Sequence, residues 1–433
     1  MPIRTAVPAV ALAAALLVPA GFASAQAIAI TGGTVHPVSG PPIENATVVI
    51  ENGRIIAIGT GIAVPAGARR IDARGKWVTP GFINAATSLG LSEGGGPSFS
   101  GGYNDASARG ADGIAASFAA WRGVNPVNTL IIPARREGVT SVVVAPSGGM
   151  IGGTAGLIDL VDATSASAML RRAPTAMVGN FASPGSGQTG ARAELWARWQ
   201  ALFADVRDYA ARRAAYEAGA TRDLGARRAD LEALVPVVRG ELPLLLTVNR
   251  ASDILAALAF AREEGIRLWI EGGAEAWQVA TAIAEAGVPV FTGAMSNIPG
   301  GFDALGQRQE NAAMLRAAGV TVVLVGNGPG DPESFNVRNI RQEAGNAVAY
   351  GMAWGDALRA ITLAPAEVLG VADRVGSLQV GRDANLVIWS GDPFEFASVA
   401  EQVFVQGRTF DTPSRQELLT ERYRTLPPDY RGP

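Results

Sequence analysis

The chain has 433 residues, of which 48% are hydrophobic, 17% charged and 6% aromatic, and its formal net charge is −3. Those proportions exclude a disordered chain. The lack of any run of like charges leaves no electrostatic footprint for nucleic acid or an anionic membrane. With no cysteine in the sequence there is no disulfide framework, no thiolate nucleophile and no thiolate metal site.

Residues 1–25 have the form of an export signal: Arg4 at the start, an apolar stretch over 7–22, and Ala23-Ser24-Ala25 as a small-x-small cleavage motif before Gln26. The apolar stretch falls short of the roughly 20 residues that a spanning helix needs. The expectation is cleavage, a mature chain from near Gln26, and a periplasmic or secreted protein with no membrane attachment after processing.

Residues 27–31, 46–50 and 54–58 read as short strands, with Glu51-Asn52-Gly53 as a hairpin turn of the Asn-Gly type. After Pro80 the rhythm changes. Apolar runs at 140–144, 244–248, 268–270, 288–291 and 321–325 alternate with amphipathic patterns at 253–264, 276–286 and 302–318. Such alternation over this length predicts an α/β fold with parallel strands, a (β/α)8 TIM barrel. The Ala/Arg/Glu-rich stretch 192–234 predicts added outer helices with a solvated charged face. Strand character returns at 384–389 and 403–405. The N- and C-terminal β segments are expected to pack together as a small β-sandwich. The domains are then 1–25 signal peptide, 27–80 plus 376–413 sandwich, 81–375 barrel and 414–433 C-terminal tail.

The order of IENGRIIAIG, GKWVTPGFINAATSLGL, PLLLTVNRASDILAAL, WIEGGAEAW, YGMAWGDALRAITLAPAEVLGV and GSLQVGRDANLVIWSGDPF resembles the amidohydrolase superfamily, in particular its imidazolonepropionase-like branch. The resemblance covers nearly the whole mature chain. It implies a barrel flanked by a β-sandwich, and a family chemistry of C–N bond hydrolysis by one or two divalent metals at the C-terminal ends of the strands.

Carried across position by position, the metal ligands that the resemblance implies are changed. The first strand, Asp-Ala-His-x-His in the family, has Asn84, Ala85, Ala86, Thr87 and Ser88. The histidine of the fifth strand falls on Thr247, with Asn249 as a polar neighbour. The Glu-His-Gly of the sixth strand is Glu271-Gly272-Gly273, and the aspartate of the eighth falls on Asn327. A metal-bound water becomes a nucleophile near neutral pH only when imidazoles and carboxylates hold the ion in an open site. His36 is the one histidine in the chain and Lys76 the one lysine, and both precede the first barrel strand, so no shift of register restores a ligand. No cofactor is expected.

Asp159, Glu271, Asp303 and Asp331 are the barrel-region carboxylates that could face the mouth and, as an all-oxygen set, hold Mg2+, Mn2+ or Ca2+; they share no acidic motif of fixed spacing, so the favoured reading is that Glu271 and Asp331 orient backbone or pair with arginine. Ser88 as a nucleophile would have Glu271 alone as its base. The glycine run 148–154 has no lysine after it and reads as a tight strand-to-helix loop. The stretch 92–102 reads as a loop over the mouth. Five tryptophans, Trp121, Trp196, Trp199, Trp277 and Trp354, read as helix-packing residues.

The expected function is therefore an exported amidohydrolase-like protein that has lost metal-dependent hydrolysis and acts as a ligand-binding protein or non-catalytic subunit. Its partner would be a small molecule or a protein such as an active paralogue, in a homo- or hetero-oligomer. The alternative is an active amidohydrolase on carbon–nitrogen bonds, with a remodelled site drawn from Asn249, Glu271, Asp159 and Asp331.

Overall fold

The computed structural model describes residues 26–92, 104–108, 110–181, 191–326 and 336–424. Three sheets organise these residues. The first joins β1 (Ile28–Val35), β2 (Ile43–Glu51), β3 (Arg54–Gly59), β4 (Arg69–Asp72) and β5 (Trp77–Pro80) from the start of the chain. The two loop residues between β2 and β3 have φ of +50° at Asn52 and +78° at Gly53, the left-handed pair that a tight hairpin needs.

Into the rest of the chain run β6 (Phe82–Thr87), β7 (Val139–Val144), β8 (Ile151–Thr154), β9 (Gly156–Asp159), β10 (Leu170–Arg172) and β11 (Met177–Asn180). After them come β12 (Leu244–Val248), β13 (Leu268–Gly272), β14 (Val290–Thr292) and β15 (Val322–Leu324). Finally β16 (Leu386–Trp389) and β17 (Ala400–Phe404) return to the first sheet.

That sheet has the order β17-β16-β5-β1-β2-β3, with β4 alongside β1. Strand β1 holds it together: it pairs with β2 along its length, with β4 over Ile28 to Thr31 and with β5 at Thr34 and Val35. Pairing of β5 with all four residues of β16 brings the two ends of the chain together. Ile30, Val48, Ile55, Val78, Leu386 and Phe404, from six of these strands, bury one apolar core.

Strands β6 and β7 are parallel, and β11 to β15 form an uninterrupted parallel run. Between the two groups the chain departs from the expected all-parallel pattern. Strands β8 and β9 flank Ala155 and run antiparallel to their neighbours, β8 against β11 and β9 against β7. The glycine run read as a strand-to-helix loop therefore leads into a strand. Gly153 of the run and Gly156 just after it allow close approach: a Cβ on Gly153 (φ +128°) would lie 2.4 Å from the Phe118 carbonyl, and one on Gly156 would lie 2.7 Å from the Trp121 ring.

The four-stranded and six-stranded sheets share one apolar interior. Ile83, Val143, Leu157, Val178, Leu245 and Val323 all belong to it, as do Trp269 and Phe291, whose rings stack at 5.6 Å. Ala366, Leu369 and Val375 close the same core from the helix Leu363–Val368 and the turns after it. A helix was expected over 302–318; it forms only at Asn311–Ala317, because Pro299-Gly300-Gly301 precedes a series of turns in which Phe302 is 86% exposed. The expected outer helices are Arg192–Ala211, Arg213–Glu217 and Arg228–Val238.

Candidate functional site

Of the positions singled out by sequence, Asn84, Ala86, Ser88, Thr247, Asn249, Glu271 and Gly272 lie in the later part of β6, β12 and β13 or just past their ends. Every residue of β6 is buried. Register irregularities on either side of Asn84 break the usual alternation, and Ala85 and Ala86 both enter the interior core. Asn84 spans the strand end: its Nδ2 donates to the Val337 carbonyl at 3.4 Å and its Oδ1 accepts from the Ala86 N–H at 3.4 Å. Ser88 follows, 7% exposed.

Neighbouring strands supply Thr247 and Glu271, which face each other in register on β12 and β13. The Thr247 hydroxyl donates to Glu271 Oε2 at 2.7 Å, and both side chains are buried. Gly272, the next residue, has φ +88°, and Gly273 has φ +61°. Both lie in the left-handed region, which β-carbon-bearing residues adopt at a cost of about 1–3 kcal/mol. The backbone at 272 is thus set for glycine independently of any ligand. Asn249 accepts from the Ala274 N–H at 3.4 Å and fixes the turn beyond β13.

Asn327 and Asp331 lie outside the described residues, as does the proposed overhanging stretch 92–102 apart from Ser92. Asp159 is a correction. It does not face the strand ends with Glu271; it sits opposite Ser141 near the start of β7, at the other end of the strands. The physical reason is direction: β9 is antiparallel, so its last residue lies where the parallel strands begin.

There Asp159 accepts from Ser141 Oγ (2.7 Å), Arg171 Nε (2.9 Å), Arg171 Nη2 (2.6 Å) and Gln406 Nε2 (2.8 Å). Burial pulls the Arg171 guanidinium down, but hydrogen bonds and charge from Asp159 and Asp383 more than reverse this and hold it above the ordinary arginine range.

Several residues that shape the strand-end loops were not identified from sequence. Glu275 accepts from the Ala251 N–H (3.1 Å) and the Gly306 N–H (2.9 Å), joining two loops. Glu343, fully buried, accepts from the Ala294 and Met295 N–H groups. Asn311 accepts from the Trp277 N–H and donates to the Gly273 carbonyl, both at 3.0 Å. Each is a polar residue on or beside a helix, where sequence alone reads a solvated face.

Among the described residues, the donors at the strand ends do not fit a catalytic transition metal. Ala86 and Gly272 offer no donor atom, Thr247 is bonded to Glu271, and Asn84 is bonded to backbone. Among the described residues no group of three or more His, Asp or Glu side chains is placed to hold a metal. His36 is buried in the first sheet between Trp77 (ring centroids 4.4 Å) and Trp354 (4.9 Å), and burial pushes its pKa down. Lys76 is ion-paired to Glu401.

Comparison with known proteins places these observations in a wider group. The family model described as "Amidohydrolase family" matches residues 258–411. Imidazolonepropionase from Acidiphilium cryptum is 25% identical over 393 residues, 82% of this chain and 89% of that protein. The amidohydrolase TasK of Hapsidospora irregularis is 32% identical over 120 residues, and the match spans 12% of its length. Among solved structures, an amidohydrolase from Thermotoga maritima MSB8 superposes with a TM-score of 0.78 at 29% identity, covering 88% of this chain and 99% of that one. A zinc-bound adenosine deaminase from Xanthomonas campestris superposes at 0.52 with 20% identity, a likeness of fold. These neighbours imply a fold of the (β/α)8-barrel type.

Proposed function

We propose, from the amidohydrolase-superfamily kinship that the family model, the Acidiphilium relative and the Thermotoga structure together support, that this chain keeps the scaffold without metal-dependent C–N hydrolysis. In this reading the four- and six-stranded sheets close as one (β/α)8 barrel of the imidazolonepropionase-like branch. Their shared interior supports that closure. The strand ends then bind a small polar molecule, or the chain is the non-catalytic subunit of an active paralogue. The observation that carries this is the chemistry of the strand ends. One position is a glycine with left-handed backbone, another an alanine within the apolar core, and the chain's single histidine lies in the first sheet.

Metal analysis of protein purified without chelators tests it. Substoichiometric zinc, iron and manganese are expected, with no turnover gained on adding them. Stoichiometric metal that survives dialysis and is required for turnover would sink the proposal. A ligand for the strand ends should raise the melting temperature, since binding to the native state stabilises it.

A second reading rests on Glu271, a buried carboxylate beside a hydroxyl at the strand ends. It is a remodelled hydrolase of cyclic amides or peptide-like C–N bonds. It predicts turnover on an amide panel that Glu271→Gln abolishes; a rate unchanged in that variant removes it.

Export is part of the proposal, supported by the signal-like pattern of residues 1–25. N-terminal sequencing of protein from a periplasmic or secreted fraction should begin near Gln26, and an intact Met1 terminus in that fraction would contradict cleavage.

A further inference from the structure

We propose that the cleft between the first sheet and the starts of the parallel strands is a binding site for a small phosphate monoester dianion. This site is separate from the strand ends and does not depend on what they bind. The cleft has a volume of about 590 Å³ and is lined by four arginines, Arg54 on β3, Arg171 on β10, Arg374 and Arg408, together with Asp159 and Asp383. A phosphate group fills part of that space and leaves room for a small organic moiety.

The charge count decides the sign of the ligand. Asp159 and Asp383 are fully engaged. Asp159 has the four donors described above, and Asp383 takes Arg374 Nε (3.0 Å) and Nη2 (2.6 Å) on Oδ1 and Arg171 Nη2 (2.9 Å) on Oδ2. These two carboxylates balance Arg171 and Arg374. Arg54 and Arg408 remain, and among the described residues neither has a carboxylate partner; the one contact of the Arg54 guanidinium is a long 3.5 Å bond to the Gly381 carbonyl. Within the lining, four guanidinium groups against two carboxylates leave two positive charges, the complement of a dianion; Glu51, opposite Arg54 across the hairpin, is not part of the lining and forms no ion pair with it. Guanidinium is also the group whose planar fork matches phosphate oxygens in pairs.

Two tight hairpin loops shape the backbone of the cleft. Two left-handed turns, Asn52-Gly53 and Gln406-Gly407, are packed back to back. A Cβ on Gly53 would lie 2.8 Å from the Gln406 carbonyl oxygen, and one on Gly407 would lie 2.7 Å from Gly53 Cα. Gln406 has φ +52° without being glycine, and two contacts hold it there: its N–H donates to Asn385 Oδ1 at 2.7 Å and its side chain to Asp159. The packing of one hairpin loop on the other fixes the position of both. The turns bring Arg54 and Arg408, 354 residues apart in sequence, to one rim.

The test is calorimetric titration of the full chain with glycerol 3-phosphate and with inorganic phosphate, against sodium chloride at matched ionic strength. Saturable one-site binding of both phosphates is expected, and no binding of glycerol. In the Arg54→Gln/Arg408→Gln variant, whose lost side chains carry no ion pair, the unliganded melting temperature should be unchanged and the affinity about tenfold weaker or more. Should that variant misfold, Arg408→Lys, which keeps the charge and loses the fork, should weaken binding several-fold. Absence of phosphate-specific heat in the wild type, or undiminished affinity in a folded variant, overturns the site. Equal binding of succinate overturns the assignment to phosphate, and binding of phosphatidic acid vesicles without soluble phosphate overturns the soluble ligand.

Discussion

Asp159→Ala is expected to lower folding stability by about 3–5 kcal/mol, the cost of breaking a buried ion pair from one side. The carboxylate and its partner Arg171 have side-chain exposures of only 3% and 9%. Removing the carboxylate leaves the Arg171 guanidinium to share Asp383 with Arg374, and takes the acceptor away from Ser141 Oγ and Gln406 Nε2. Asp159→Asn retains one oxygen acceptor and should cost less, about 1–3 kcal/mol. Urea denaturation of the three proteins checks the order. A loss under about 1 kcal/mol in the alanine variant, the range of ordinary surface substitutions, would mean that the network does not hold the junction.

A comparable loss, about 3–5 kcal/mol, is expected for Trp389→Ala. Trp389 ends β16 with no solvent exposure and wedges between the first sheet and the first parallel strands. Its ring stacks on Phe82 of β6 at 5.2 Å, and its Nε1–H donates to Thr79 Oγ1 at 2.9 Å. The loop before β7 approaches so closely that a Cβ on Gly138 (φ +87°) would lie 2.7 Å from the ring. The alanine variant leaves a cavity between two layers and removes the donor to a buried hydroxyl. Trp389→Phe, which keeps the stack and loses the donor, should fall between the two in the same denaturation series. Equal stability of the alanine variant and the wild type would show that the layers are held elsewhere.

The junctions just described explain where sequence was informative and where it was not. Strand β12 is found at the residues expected from sequence, and β7 begins one residue earlier, because runs such as LLLTV and TSVVV are apolar, β-branched and bounded by turns. The Asn52-Gly53 hairpin was legible for the same local reason. The antiparallel stave β8–β9 was not. IGGTAGLID has too little β-branched character to signal a strand, and no local pattern encodes its direction. Without that strand and its direction, Asp159 falls among the residues expected at the mouth, the wrong end of the strands. At the candidate site, the resemblance located Ala86, Thr247 and Gly272, but the loop anchors Glu275, Asn311 and Glu343 lie in helical contexts whose inward faces only tertiary packing reveals.

Gly272 carries one more consequence, for the direction in which such a strand end can change. A histidine introduced at 272, by design or by descent, would meet a backbone at φ +88° and incur about 1–3 kcal/mol before any bond to a metal formed. Nearby, Ala86 would have to trade a place in the apolar interior for an imidazole. Introducing a metal ligand at either of these two positions alone is therefore uphill. The left-handed glycine makes the backbone at 272, and not only its missing side chain, the obstacle to a designed metal site there.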